Sequence, residues 1–153
     1  MKMFTAGRWT AFSLFLLIAG NARAELPENL AAKASVWASS SYDKRYEPKF
    51  ALDGTVPMAG TGQDPGKAWC VRKSESGDSG EFRLEWPTPV QLGEILYFGR
   101  TAWYMTECWK DYEVYMDGGT EPVASGTLNM VHGPQRIELP ARRMTLVRVA
   151  GGE

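Results

Sequence analysis

Histidine is almost missing from this chain: His132 is the only one in 153 residues. A zinc site built on a histidine pair is therefore excluded, and a Ser-His-Asp triad has a single residue to draw on. Cysteine is scarce too, and Cys70 and Cys108 allow one bridge at most. There is no excess of positive charge. The chain holds 17 basic and 18 acidic residues; the first 24 carry Lys2, Arg8 and Arg23 and no acid, which leaves 14 against 18, a net charge of −4. The basic residues are scattered, so the footprint that nucleic acid or an acidic membrane requires is missing. No Asn-x-Ser/Thr sequon occurs. The longest apolar stretch, Thr10 to Gly20, is shorter than the about 20 residues that span a bilayer. No later window has a helical period.

What the N-terminus does have is a basic start, that apolar stretch, and small residues in Ala22-Arg23-Ala24. These are the three parts of a secretory signal peptide. Residues 1–24 are read as a cleaved signal and residues 25–153 as one domain of an exported protein, periplasmic or secreted, with no membrane span in the mature chain. In an exported chain two cysteines are more often bridged than metal-bound, so a Cys70–Cys108 disulfide is expected, with two buried thiols as the alternative.

The stretch Ala38 to Trp69 organises the rest. It is too rich in Gly, Pro and polar residues for a core element, yet it carries Tyr42, Tyr46, Phe50 and Trp69. A first strand is expected over Ala34–Ser39, before it. A small polar loop, Lys73 to Gly80, follows. Glu81 to Trp86 then alternates strictly, with Phe82, Leu84 and Trp86 on one face, until Pro87 and Pro89 break it. Val90–Gly99 reads as a more central strand. Lys110–Asp117 alternates again, with Tyr112, Val114 and Met116 on one face, and Gly118-Gly119 turns the chain into a return strand over Pro122–Leu128. Gln135–Leu139 and Thr145–Val149 complete the set. Short strands with Gly/Pro turns predict an all-β sandwich or jelly roll.

Two motifs mislead. Gly77-Asp78-Ser79-Gly80 has the letters of a protease nucleophile loop without the flanking residues or the chain length. The Gly60, Gly62, Gly66-Lys67 region lacks the spacing of a phosphate loop and has Ala68 after its lysine. The acidic pairs Glu81 with Glu85 and Asp111 with Glu113 lie on alternating strands, where a solvated face is expected rather than acid/base chemistry. A hydrolase is not expected.

Taken in order, several segments resemble the coagulation factor 5/8 type C (discoidin) domain, the galactose-binding-like jelly roll that includes the family 32 carbohydrate-binding modules. They are Asn29-Leu30-Ala31, Ala38-Ser39-Ser40, Tyr46-Glu47-Pro48, Ala51-Leu52-Asp53-Gly54 with Trp69, Phe82 to Trp86, Lys110 to Tyr115 and Gln135 to Pro140. The resemblance covers nearly all of Leu30 to Val149. It implies a non-catalytic module, usually part of a larger exported protein, that binds sugars or cell-surface ligands through loops at one end of the sandwich. It also implies structural calcium on the carbonyl of Phe50, the carboxylate of Asp53 and the oxygen of Thr55; hard oxygen donors on a tight loop suit that ion. Relatives add a hydroxyl where this chain has Met58, and a glutamate beside a closing C-terminal strand; the jelly roll here is expected to lack that strand. Without the metal, Asp53 would cap its own turn.

Sugar recognition takes aromatic faces for C–H surfaces and charged groups for hydroxyls. Arg100, which falls near a loop arginine of sugar-binding relatives, Trp103 and Tyr104 are the candidates, with His132 as a further donor. Tyr42, Arg45 and Tyr46 form a second cluster. Trp69 and Trp109 are expected to pack in the core. The expected function is an exported carbohydrate-binding module; the alternative is a protein-interaction or adhesion module without a sugar site.

Overall fold

A computed structural model describes residues 28–77, 79–102 and 108–152. The signal peptide expected over residues 1–24 lies outside them. Five strands form one antiparallel sheet: β1 (Ser35–Ala38), β2 (Ser79–Phe98), β3 (Asp111–Met116), β4 (Ala124–Thr127) and β5 (Pro134–Gly152), in the order β1-β2-β5-β3-β4. Among the described residues no helix is long and apolar enough to cross a membrane.

Two differences from the sequence reading have one cause. Pro87 and Pro89 do not end a strand; β2 runs through them for 20 residues, and the two C-terminal strands are one continuous β5. The ladder between them shifts register between Glu85 and Val90, so the prolines sit where no ladder N–H is required. The break in pairing also lets the sheet fold back on itself. Ile95, Val90 and Leu92 beyond the shift and Leu84 and Trp86 before it share one apolar cluster with Val114, Met116, Ile137, Leu139 and Val147. Two layers around a single core make this a β-sandwich. The alternation in β3 reads as expected: Val114 and Met116 are buried. One addition is a helical turn, α1 (Lys73–Ser76), inside the polar loop.

The last strand segment is interior. Gly151 pairs with Gly80 on one side and Tyr112 on the other, so the sheet's edges are β1 and β4. The Gly80–Gly151 pair leaves a slot that the Trp109 indole fills: a Cβ on Gly151 would stand 2.1 Å from the ring and one on Gly80 2.8 Å. Trp69 meets Trp109 edge-on at 5.3 Å and Phe82 at 4.9 Å. Trp69 and Trp109 are thus packing residues, as expected.

Candidate functional site

The loop from Ser39 to Trp69 folds over the end of the sandwich where β2 finishes and β5 begins. Its centre is Asp64, fully buried. Asp64 Oδ2 accepts from Arg100 Nε at 2.5 Å, and Oδ1 accepts from the Tyr46 hydroxyl at 3.1 Å. The Arg100 guanidinium also lies 5.0 Å from the centre of the buried Tyr46 ring. Tyr42 packs edge-on against Tyr46 at 5.9 Å and stays about half exposed, at 53%. Arg45 is held beside it by Asp43, through Nη2 to Oδ2 at 2.6 Å.

The two clusters that the sequence keeps apart, Arg100 with His132 and Tyr42 with Arg45 and Tyr46, are therefore one site with Asp64 between its halves. Nothing local announces Asp64, since a carboxylate in a Gly/Pro loop reads as solvated. Its partners lie 18 and 36 residues away. Arg100 itself is largely enclosed, its side chain 13% exposed. It braces the site from beneath, through Asp64.

The neighbouring Thr101 ties in the rest. Its carbonyl accepts from Gly60 N–H at 3.0 Å, and its hydroxyl bonds His132 Nδ1 at 2.9 Å. The His132 loop is fixed at its base by Gln135, whose side-chain amide both donates to and accepts from the Asn129 backbone. His132 is exposed, with Nε2 facing no partner among the described residues. Val56 and Met58 on one loop and Met130 and Val131 on the other add exposed apolar surface around it. Trp103 and Tyr104 lie outside the described residues.

The expected disulfide is not formed between Cys70 and Cys108. Both sulfurs have Arg100 as a partner instead. Its guanidinium donates to Cys70 Sγ at 3.4 Å, and its backbone N–H donates to Cys108, whose thiol pKa is raised by burial. Burial, followed by the nearby Cys108, also pushes Tyr97 up to about 12. Tyr46 is raised as well, by burial first and then by its bond to Asp64. These shifts have one sign. Above the ordinary tyrosine pKa of about 10 the unfolded chain ionises and the folded chain resists, so the stabilisation present below pH 10 is lost as pH climbs toward 12. Stability from urea unfolding is expected to fall over that interval, by about 1.4 kcal/mol per pH unit for Tyr97, with a shallower slope in Tyr97→Phe.

The loop expected to hold calcium closes by itself. Asp53 Oδ1 accepts Thr55 N–H at 2.8 Å, Gly54 takes φ +77°, and Leu52 O accepts from Asn29 Nδ2 at 2.9 Å. Phe50 lies on the short 3-10 turn Pro48–Ala51 just before it. Phe50, Asp53 and Thr55 supply three oxygens with one carboxylate, half or less of a calcium shell.

This architecture is the galactose-binding-like (discoidin) β-sandwich. Residues 29–150 match the profile of a family described as a domain of unknown function (DUF7402), and the chain belongs to that family. No curated protein sequence matches the chain. Among solved structures it is similar to the family 32 carbohydrate-binding module of Clostridium perfringens NanJ, in complex with galactose, at 13% identity and a TM-score of 0.63 over 82% of this chain and 86% of that one. It is similar to the CpGH89CBM32-5 module of the same organism, in complex with GalNAc-β-1,3-galactose, at 15% identity and 0.62 over 82% and 88%. It also matches part of an α-L-fucosidase described as putative from Bacteroides thetaiotaomicron, at 13% identity and 0.61, covering 82% of this chain and 26% of that one.

Proposed function

We propose that this domain is a non-catalytic carbohydrate-binding module of an exported, larger protein, and that it takes sugar at the loop end around Tyr42. The observation that carries the reading is the half-exposed Tyr42 ring fixed on a buried Tyr46–Asp64–Arg100 base. A rigid aromatic face presents a stacking surface to a sugar's C–H side at little entropic cost. Arg45, His132 and, from the segment beside Thr101, Trp103 and Tyr104 are the proposed companions for the hydroxyls and the second face. Structural neighbours that bind galactose and GalNAc-β-1,3-galactose support the ligand class. The exposed Met58 and Met130 favour a protein partner as the second reading, since flexible thioether side chains suit adaptable contacts.

The test is a glycan array followed by titration calorimetry, with calcium and then with chelator. Tyr42→Ala is expected to weaken sugar binding about tenfold or more with little change in thermal midpoint. Calcium at Phe50, Asp53 and Thr55 would be a weak structural ligand of the millimolar class. A few millimolar is then expected to add about 1 kcal/mol of stability, abolished in Asp53→Ala. A folded chain that binds no glycan would move the reading to a protein partner.

A further inference from the structure

The open face of the sheet carries an ordered row of side chains. Trp37 on β1 pairs in register with Arg83 on β2, Arg83 with Arg148 on β5, and Arg148 with Tyr115 on β3. Residues directly opposite in register share a face, so these four stand in one line across four strands. The guanidinium of Arg83 lies 4.5 Å from the Trp37 ring centre, and that of Arg148 lies 3.7 Å from Tyr115. Glu81 fixes both cations, accepting from Arg83 Nε at 2.5 Å and from Arg148 Nη1 at 3.4 Å. Tyr115 in turn donates to Glu113 at 2.5 Å. Even so, Trp37 remains 49% exposed.

The row beside it alternates glutamates with small residues. Glu81 registers with Ala150, Ala150 with Glu113, and Glu113 with Ser125. On the other flank a recess of about 290 Å³ is bounded by Ser35, Val36, Trp37, Arg83, Glu85 and Leu146. Planar groups in a line, with hydrogen-bonding glutamates on one side and a recess on the other, offer a track rather than a point of attachment. Three interstrand steps give it a length of about 14 Å. Its charges nearly cancel: two arginines stand against Glu81, Glu85 and Glu113, which disfavours a polyanion.

We propose that this face is a second, extended glycan-binding surface that takes a neutral polysaccharide chain laid across the strands along Trp37, Arg83, Arg148 and Tyr115. Trp37 and Tyr115 stack on sugar rings, while the Glu81-ordered guanidiniums and Glu113 meet hydroxyls. The proposal shares its ligand class with the function above and rests on that reading. It assigns the domain to polymers, where the loop end alone would hold a terminal sugar.

Affinity electrophoresis and calorimetry of the whole purified protein test it, with galactomannan and mixed-linkage glucan as neutral polymers, polygalacturonate as the polyanion and galactose as the monosaccharide. Trp37→Ala and Tyr115→Ala are each expected to weaken neutral-polymer binding about tenfold or more. Galactose affinity and thermal midpoint should stay near the unaltered protein's. Polymer affinity that survives both substitutions, with galactose still bound, would overturn the face and leave the loop end standing. Polymer binding lost in Trp37→Ala but untouched in Tyr42→Ala would support the face and sink the loop end. A preference for polygalacturonate overturns the neutral-polymer assignment, and a folded protein that binds no sugar overturns both.

Discussion

Asp64→Ala is expected to lower stability by about 3–5 kcal/mol, because it removes the buried carboxylate that the enclosed Arg100 guanidinium bonds. For a domain of this size that is a fall of roughly 10–20 °C in thermal midpoint. The Tyr46 hydroxyl loses its acceptor in the same step, and with it the base on which Tyr42 rests. Asp64→Asn should cost less, since an amide oxygen still accepts a hydrogen bond. Adding Arg100→Met to Asp64→Ala should recover part of the loss, because removing both members of a buried pair is milder than removing one. Urea unfolding of the three variants checks this. An Asp64→Ala protein within 1 kcal/mol of the unaltered one would show that the pair is dispensable.

The second large effect lies at the Gly80–Gly151 pair. Gly151→Val is expected to cost at least about 3 kcal/mol, the upper range for overpacking, since the new Cβ would meet the Trp109 ring at 2.1 Å. The neighbours cannot yield cheaply. Gly151 is hydrogen-bonded into β2 on one side and β3 on the other, and Trp109 is backed by Trp69. Trp109→Ala should cost a similar amount by the opposite route, an emptied slot between the two glycines. Combining Gly151→Ala with Trp109→Leu is expected to be milder than the sum of the two singles. Chemical denaturation followed by far-ultraviolet circular dichroism reads all of these. Additive costs would show that the ring and the glycine do not share one space.

What could be read from the chain depended on how local the cause was. The period of two in β3 put Val114 and Met116 in the core because the pleat alone fixes that. Pro87 and Pro89 looked like a strand end, since the register shift that absorbs them depends on residues of β5 more than 50 positions later. Tyr42, Arg45 and Tyr46 were recognisable as a cluster. Their union with Arg100 was not, because it runs through Asp64, whose burial is decided by distant partners. Trp37 was placed in a strand, but that it joins an arginine–aromatic row follows from how β1, β2, β5 and β3 align. The pattern of a single strand says which residues share its face and nothing of what stands opposite.

The interior position of β5 also governs when the molecule can assemble. β5 inserts between β2 and β3, and its last segment joins Gly152 to Ser79, 73 positions back. During synthesis, the first four strands emerge with the central ladder still unmade, and β2 and β3 have no strand between them. The native sheet closes in one late step, after β5 has been made. Contacts of such long range fold slowly, on a timescale of milliseconds to seconds. The nascent chain therefore passes through a period in which its longest strand is unsatisfied along one side, the interval in which a holding chaperone has the most to protect.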